Sequence, residues 1–172
     1  ADAYFYFIET AGIRDEIAGI LEQMDVHDSK QLQALAAKIQ DIIRGAEIPG
    51  KIVEEIERVY VKMGEGLVAV RSSATAEDLP EASFAGQQAT FLNITGEKNV
   101  VNAVKECWAS LFGARAIFYR QEQGFDHFRV GIAVPVQHMV QSEASGVMFT
   151  VEPTTNNRDK IAIEAVFGLG EM

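Results

Sequence analysis

Apolar residues recur every three or four positions through the first 64 residues, then change near Leu67 to short runs and alternations. That switch predicts helices first and strands later. Ile13, Ile17, Ile20, Leu21 and Met24 fall on one helical stripe. A second stripe runs from a cap at Asp28 or Ser29 through Leu32, Leu35, Ala36, Ile39, Ile42 and Ile43, and Gly45 ends it. A third starts near Pro49 and carries Ile52, Ile56, Val59, Tyr60 and Met63 before Gly64. Each has one apolar face and the start and stop residues that helices use. Ahead of them, AYFYFIET reads as a helix already under way. The polar faces, such as Glu54, Glu55, Glu57, Arg58 and Lys62, read as solvated and carry no chemistry.

Strand patterns follow at 67–71, 90–94, 130–140, 146–151 and 160–166. Gln141 to Ser145 reads as a hairpin connection and Pro153 to Asp159 as an exposed loop. Between the second and third strands, Val100, Val101, Val104, Cys107, Trp108, Leu111 and Phe112 form another helical face, and Gly113 breaks it ahead of Ile117, Phe118 and Tyr119. Helices first and strands later give an α+β (mixed α/β) class. The expected architecture is one mostly antiparallel sheet with the 97–123 helices packed on it. The expected organisation is a helical segment over 1–64 and a core over 65–172, within one structural domain.

Composition narrows the classes. The 172 residues are 48% apolar and 23% charged, enough for a sizeable core. A net charge of −10 argues against nucleic acid and anionic membranes as partners. Any phosphate site must then be a local positive patch. A single cysteine, Cys107, allows no internal disulfide and fits a reducing compartment, so the expected location is the cytoplasm. No apolar run is long enough to span a bilayer as a helix. With no initiator Met and an end just after an apolar strand pattern, the chain reads as a piece of a longer protein.

The candidate chemistry centres on VAVRSSATAEDLPEASFAGQQAT, from Val68 to Thr90. An apolar strand delivers Arg71 into a loop of small, hydroxyl-bearing residues. A guanidinium fork suits phosphate oxygens, and Gly86 lets backbone N–H groups approach closely. The competing reading is a surface loop whose Arg71 pairs with Glu77 or Asp78. Glu77, Asp78 and Glu81 could help hold Mg²⁺, or simply be solvated or cap a helix. Cys107 reads as a small buried hydrophobe, and Trp108 as a core residue rather than a base-stacking platform. Arg115 and Arg120 read as salt-bridge partners, Asp126-His127 as a loop contact, and His27 as a surface residue. Gln137 is the polar oddity of VPVQHMV: either an amide reading an adenine edge, or an edge-strand Gln bonded to backbone. His138 falls on the opposite face by the strand period.

VRSSATAEDLPEASFAGQQAT resembles the signature of the N-terminal nucleotide-binding domain of phosphoenolpyruvate synthases, with pyruvate phosphate dikinases and rifampicin phosphotransferases as more distant kin. The similarity continues through CWASLFGARAIFYRQEQGFDH, VPVQHMVQSEASGVMFT and IEAVFGLGE, and so covers roughly Leu67 to Met172. The resemblance implies a partial ATP-grasp fold, incomplete over 65–172, in which two α+β subdomains close on ATP. It implies an enzyme that phosphorylates a carrier histidine on a swivelling domain and then makes phosphoenolpyruvate from pyruvate at a C-terminal barrel. The positions that match the family's ATP-binding residues are Arg71, Gly86, Thr90 and Gln137. Arg71 would hold phosphate oxygens, Gly86 and Thr90 would shape the loop over the triphosphate, and Gln137 would sit near the adenine.

The same resemblance places the family's ATP-contacting lysine before Ala1, and its Mg²⁺ ligand and a Gln/Arg pair after Met172. It therefore implies a fragment that is inactive alone, with no catalytic residue assigned in it. Two alternatives remain open in the residues: a rifampicin-phosphotransferase-like enzyme, and a non-catalytic nucleotide-sensing or partner-binding module.

Overall fold

In a computed structural model, residues 1–74 and 89–170 are described. The chain forms two compact units, Ala1–His138 and Met139–Met172. Four helices open the first: α1 (Asp2–Thr10), α2 (Arg14–Glu22), α3 (Ser29–Gly45) and α4 (Gly50–Lys62). The aromatic piece and the isoleucine stripe are thus separate helices. Gly12 divides them with a φ of 66°, a conformation that side-chain-bearing residues avoid. Asp28 caps α3 as the spacing predicts, its Oδ1 accepting from the N–H groups of Lys30 at 3.0 Å and Gln31 at 3.1 Å. The far end of α3 is closed from outside, because the Lys105 ammonium donates to the carbonyls of Arg44 and Ala46.

Next come β1 (Val68–Arg71), β2 (Ser73–Ala74), β3 (Thr90–Ile94), α5 (Glu97–Ser110), α6 (Ala114–Glu122), β4 (Ile132–Ala133) and β5 (Val136–His138). Every pairing is antiparallel. Among the described residues, however, the ladders fall into three sheets rather than the single one expected: β3-β1-β5, β2-β4, and a third in the second unit. The predicted strand over 130–140 is broken at Pro135, which has no N–H to donate to a ladder. Its carbonyl instead accepts from the Arg71 N–H at 3.1 Å. The facing segment breaks at Ser72, so β1 pairs with β5 while β2, in what reads from sequence as loop, pairs with β4.

One residue tunes the face of β3. Val70 pairs with Phe91 but Val68 pairs with Ile94, so the register slips by one between them. Asn93 takes the slip with a φ of 57°, which Asn tolerates better than most residues. Phe91 and Ile94 are three apart, and strict alternation would send them to opposite faces. With the bulge, both pack against the core.

That core is continuous from Tyr4, Phe7 and Ile17 through Ile39, Val68, Val70, Trp108 and Ile117, so the helical segment and the strands share it. Trp108 is 2% exposed and stacks on Phe7 with centroids 5.0 Å apart, which makes it a core residue as its stripe predicts. Tyr60 fastens α4 to the sheet: its hydroxyl donates to the Gly66 carbonyl at 2.7 Å and accepts from the Gly96 N–H at 3.0 Å.

The second unit is a hairpin of β6 (Ala144–Phe149) and β7 (Ala162–Phe167), in register from Ala144↔Phe167 to Phe149↔Ala162. Gly146 is required there, since a Cβ would lie 2.5 Å from the Glu164 carbonyl oxygen. No helix among the described residues is long and apolar enough to cross a membrane.

Candidate functional site

Register decides which side chains share a surface, because residues directly opposed on antiparallel strands emerge on the same face. Val68 and Val70 point into the core. Ala69 and Arg71 therefore emerge on the other face of β1. Thr90 is paired with Arg71, and Gln137 with Ala69. Three of the four residues singled out in the sequence thus stand on one face of one sheet, and all three are exposed. Gly86 lies outside the described residues, as do Glu77, Asp78 and Glu81.

The positions of these side chains follow from local chemistry. Arg71 ends β1 in a strand whose other members are buried, and among the described residues no carboxylate lies within ion-pair distance of it. Ser72 ties the two flanks of the 75–88 segment together: its N–H and its hydroxyl both donate to the Ala89 carbonyl, at 3.0 and 3.1 Å. Beneath them the Cys107 sulfur sits 4.0 Å from the carbonyl oxygens of Val70 and Ala89. Burial, and then the charge of Glu106, pushes this thiol up to about 12, so it is neutral packing rather than a nucleophile.

Gln137 is exposed on β5, the edge strand of its sheet among the described residues. The buried amide that the sequence raises is therefore not found; the amide faces outward beside Ala69. His138 turns away, as the strand period predicts, and its Nε2 is 2.8 Å from the Met63 carbonyl oxygen.

Among the remaining candidates, Arg120 and Asp126-His127 are structural. Arg120 is fully buried, but not in the ion pair expected from sequence: its Nε donates to His127 Nδ1 at 3.0 Å, and its guanidinium lies 5.3 Å from the Phe112 ring centre. Acceptance at Nδ1 leaves the imidazole proton on Nε2, which faces Gln121 Oε1 at 3.2 Å. Burial and then the Arg120 charge lower His127 to about 4, so its ring is neutral. Asp126 accepts from the Phe128 N–H at 2.8 Å, which makes Asp126-His127 a loop contact and not an acid–base pair. Arg115 is exposed and has no ion pair among the described residues.

A cavity of about 600 Å³ lies on the core side of the sheet among Ile52, Ile56, Trp108, Val134 and Val136. It includes none of Arg71, Thr90 or Gln137, and its lining is mainly apolar, with Lys51, Glu55 and Asp2 among the residues around it. Among the described residues, no group of three or more His, Cys, Asp or Glu could hold a metal ion.

Sequence reasoning missed which residues stand together here: Ala69 beside Gln137, Ser72 bonded to Ala89, and Cys107 next to the Val70 and Ala89 carbonyls. These placements follow from register, which the linear pattern leaves open. An Asn inside a strand run was the one visible sign of the bulge.

The family described as pyruvate phosphate dikinase, AMP/ATP-binding domain, matches residues 1–172. A phosphoenolpyruvate synthase of Aquifex aeolicus is 51% identical over all of this chain, which spans 21% of that relative. The phosphoenolpyruvate synthase of Pyrococcus furiosus is 52% identical over 95% of the chain, again 21% of the relative's length. A probable phosphoenolpyruvate synthase of Archaeoglobus fulgidus is 54% identical over 96% of the chain and 22% of its own length. The chain thus spans about a fifth of these relatives. With a match over its whole length and identities above half, the chain belongs to the pyruvate phosphate dikinase AMP/ATP-binding domain family.

Proposed function

We propose that this chain is the ATP-binding portion of a phosphoenolpyruvate-synthase-like phosphotransferase. The observation that carries the reading is the pairing of Arg71 with Thr90 and of Ala69 with Gln137, which puts a cation, a hydroxyl and an amide on one open face. Arg71 holds phosphate oxygens through its fork of donors, and Thr90 meets the same phosphates from the neighbouring strand. Gln137, with an amide donor and an acceptor, meets the adenine end. By the resemblance alone, Gly86 would shape the loop over the triphosphate. The names and lengths of the relatives support a longer enzyme that makes phosphoenolpyruvate. In that enzyme a carrier histidine takes the phosphoryl group and pyruvate finally receives it. A swivelling phosphohistidine domain and a pyruvate-binding barrel are then its partners, with the cytoplasm as its compartment. Mg²⁺, held by residues outside this chain, would neutralise charge on the phosphates. Phosphoryl transfer depends chiefly on such positioning and neutralisation.

The deciding experiment is a paired one on the full-length enzyme. Arg71→Ala should keep the melting temperature and lower ATP turnover by about 100-fold or more. Arg71→Lys should restore only part, since an ammonium cannot reproduce the bidentate fork. Turnover near normal in Arg71→Ala would remove this face from the nucleotide site, and a collapsed melt would make Arg71 structural.

A further inference from the structure

The face that carries Arg71, Thr90 and Gln137 has a fourth member, Ala69. It precedes Arg71 by two residues on β1 and is the direct partner of Gln137. With strands about 4.8 Å apart and a rise of about 3.4 Å per residue, Thr90 and Gln137 stand about 12 Å apart on the diagonal. That diagonal crosses β1 between Arg71 and Ala69. A ligand gripped at Arg71 and Thr90 that reaches Gln137 must therefore pass beside Ala69. Ala69 is 8% exposed, so there is little free room around its methyl for a longer side chain.

We propose that Ala69 is the floor of the nucleoside half of the site, a specificity-determining residue whose single methyl keeps open the path from the phosphate corner to Gln137. The inference rests on the nucleotide reading above, with phosphates over Arg71 and Thr90 and base toward Gln137, and adds to it the course of the sugar over Ala69. A ligand made only of phosphate would occupy the first corner and never reach Ala69. Bulk at Ala69 should therefore discriminate between a nucleotide and a bare polyphosphate.

The test measures binding of ATP and of inorganic tripolyphosphate to the full-length enzyme, with Ala69→Val and Ala69→Leu beside Arg71→Ala. In the Ala69 variants ATP should weaken by about tenfold or more, with leucine worse than valine, while tripolyphosphate stays within about twofold and the melt is unchanged. Unchanged ATP affinity in both variants would overturn the proposal. So would equal loss of both ligands, or a melt lowered in both variants, which would make Ala69 a packing residue. Arg71→Ala separates the two levels of the reading: it should lose both ligands. If it binds ATP like the wild type, the nucleotide reading of this face falls, and the Ala69 inference with it. If it loses both while Ala69→Leu binds ATP normally, only the Ala69 inference falls.

Discussion

Arg120 and His127 form a partly buried, hydrogen-bonded pair of side chains. A guanidinium is buried over the Phe112 ring, and its Nε donates to a neutral imidazole. His127 is lowered to about 4 in the folded protein, against an ordinary value near 6.5. Between these values the unfolded chain binds the extra proton and the folded chain does not, so stability is lost as pH falls from about 6.5 towards 4. His127→Asn should flatten that part of the stability-versus-pH curve, as followed by chemical denaturation at several pH values. Trp108 makes a simpler case. It is packed on Phe7 and nearly fully buried, so Trp108→Ala should cost about 3–5 kcal/mol. An unchanged melting curve would contradict its place in the core.

At the level of elements, a few side chains set the angles at which the pieces meet. Tyr60 joins α4 to the turns before β1 and α5 through two hydrogen bonds of its hydroxyl. Tyr60→Phe keeps the ring in place but strands the Gly66 carbonyl and the Gly96 N–H, so stability should drop by about 1–3 kcal/mol. Denaturant titration of that variant checks it, and a change in midpoint without a change in slope is the expected form. The β6–β7 hairpin depends on its glycine in a different way. Gly146→Ala would drive a methyl into the Glu164 carbonyl and prise the two strands apart. Amide exchange over 144–149 and 162–167 should then accelerate while β1 is unaffected. Equal protection in the variant and the wild type would count against the pairing at Gly146.

Across the whole molecule, the contrast is between a unit with its own core and a two-stranded hairpin. The first unit buries apolar residues from α1 to β4. In the hairpin, Met148 is 61%, Ile163 68% and Phe167 95% exposed. Two strands alone are marginal in water. In the 172-residue chain the amides of β6 and β7 should therefore exchange faster than those of β1, which sits between two partners in its sheet. Hydrogen exchange read by mass spectrometry checks this, and slower exchange in β6 and β7 than in β1 would refute it.

The linear sequence determined the elements and the family. The 3-and-4 spacing fixed three helices over 13–64 and the amphipathic face of α5, because helix period and apolar burial are local demands. Arg71 after an apolar run and Gln137 in a strand were both legible, and each resides on the strand expected of it. Only the tertiary structure decided which of them meet. Whether Gln137 stands beside Ala69 or beside Val70 is a matter of one residue in register, and one residue turns every side chain to the opposite face. That register is set by contacts distant in sequence: Pro135 accepting from Arg71, Ser72 reaching Ala89, and the bulge at Asn93 that lets Phe91 and Ile94 both enter the core. The division of the expected single sheet has the same origin. A proline and a serine break facing strands at matching points, and no local pattern records that they face each other.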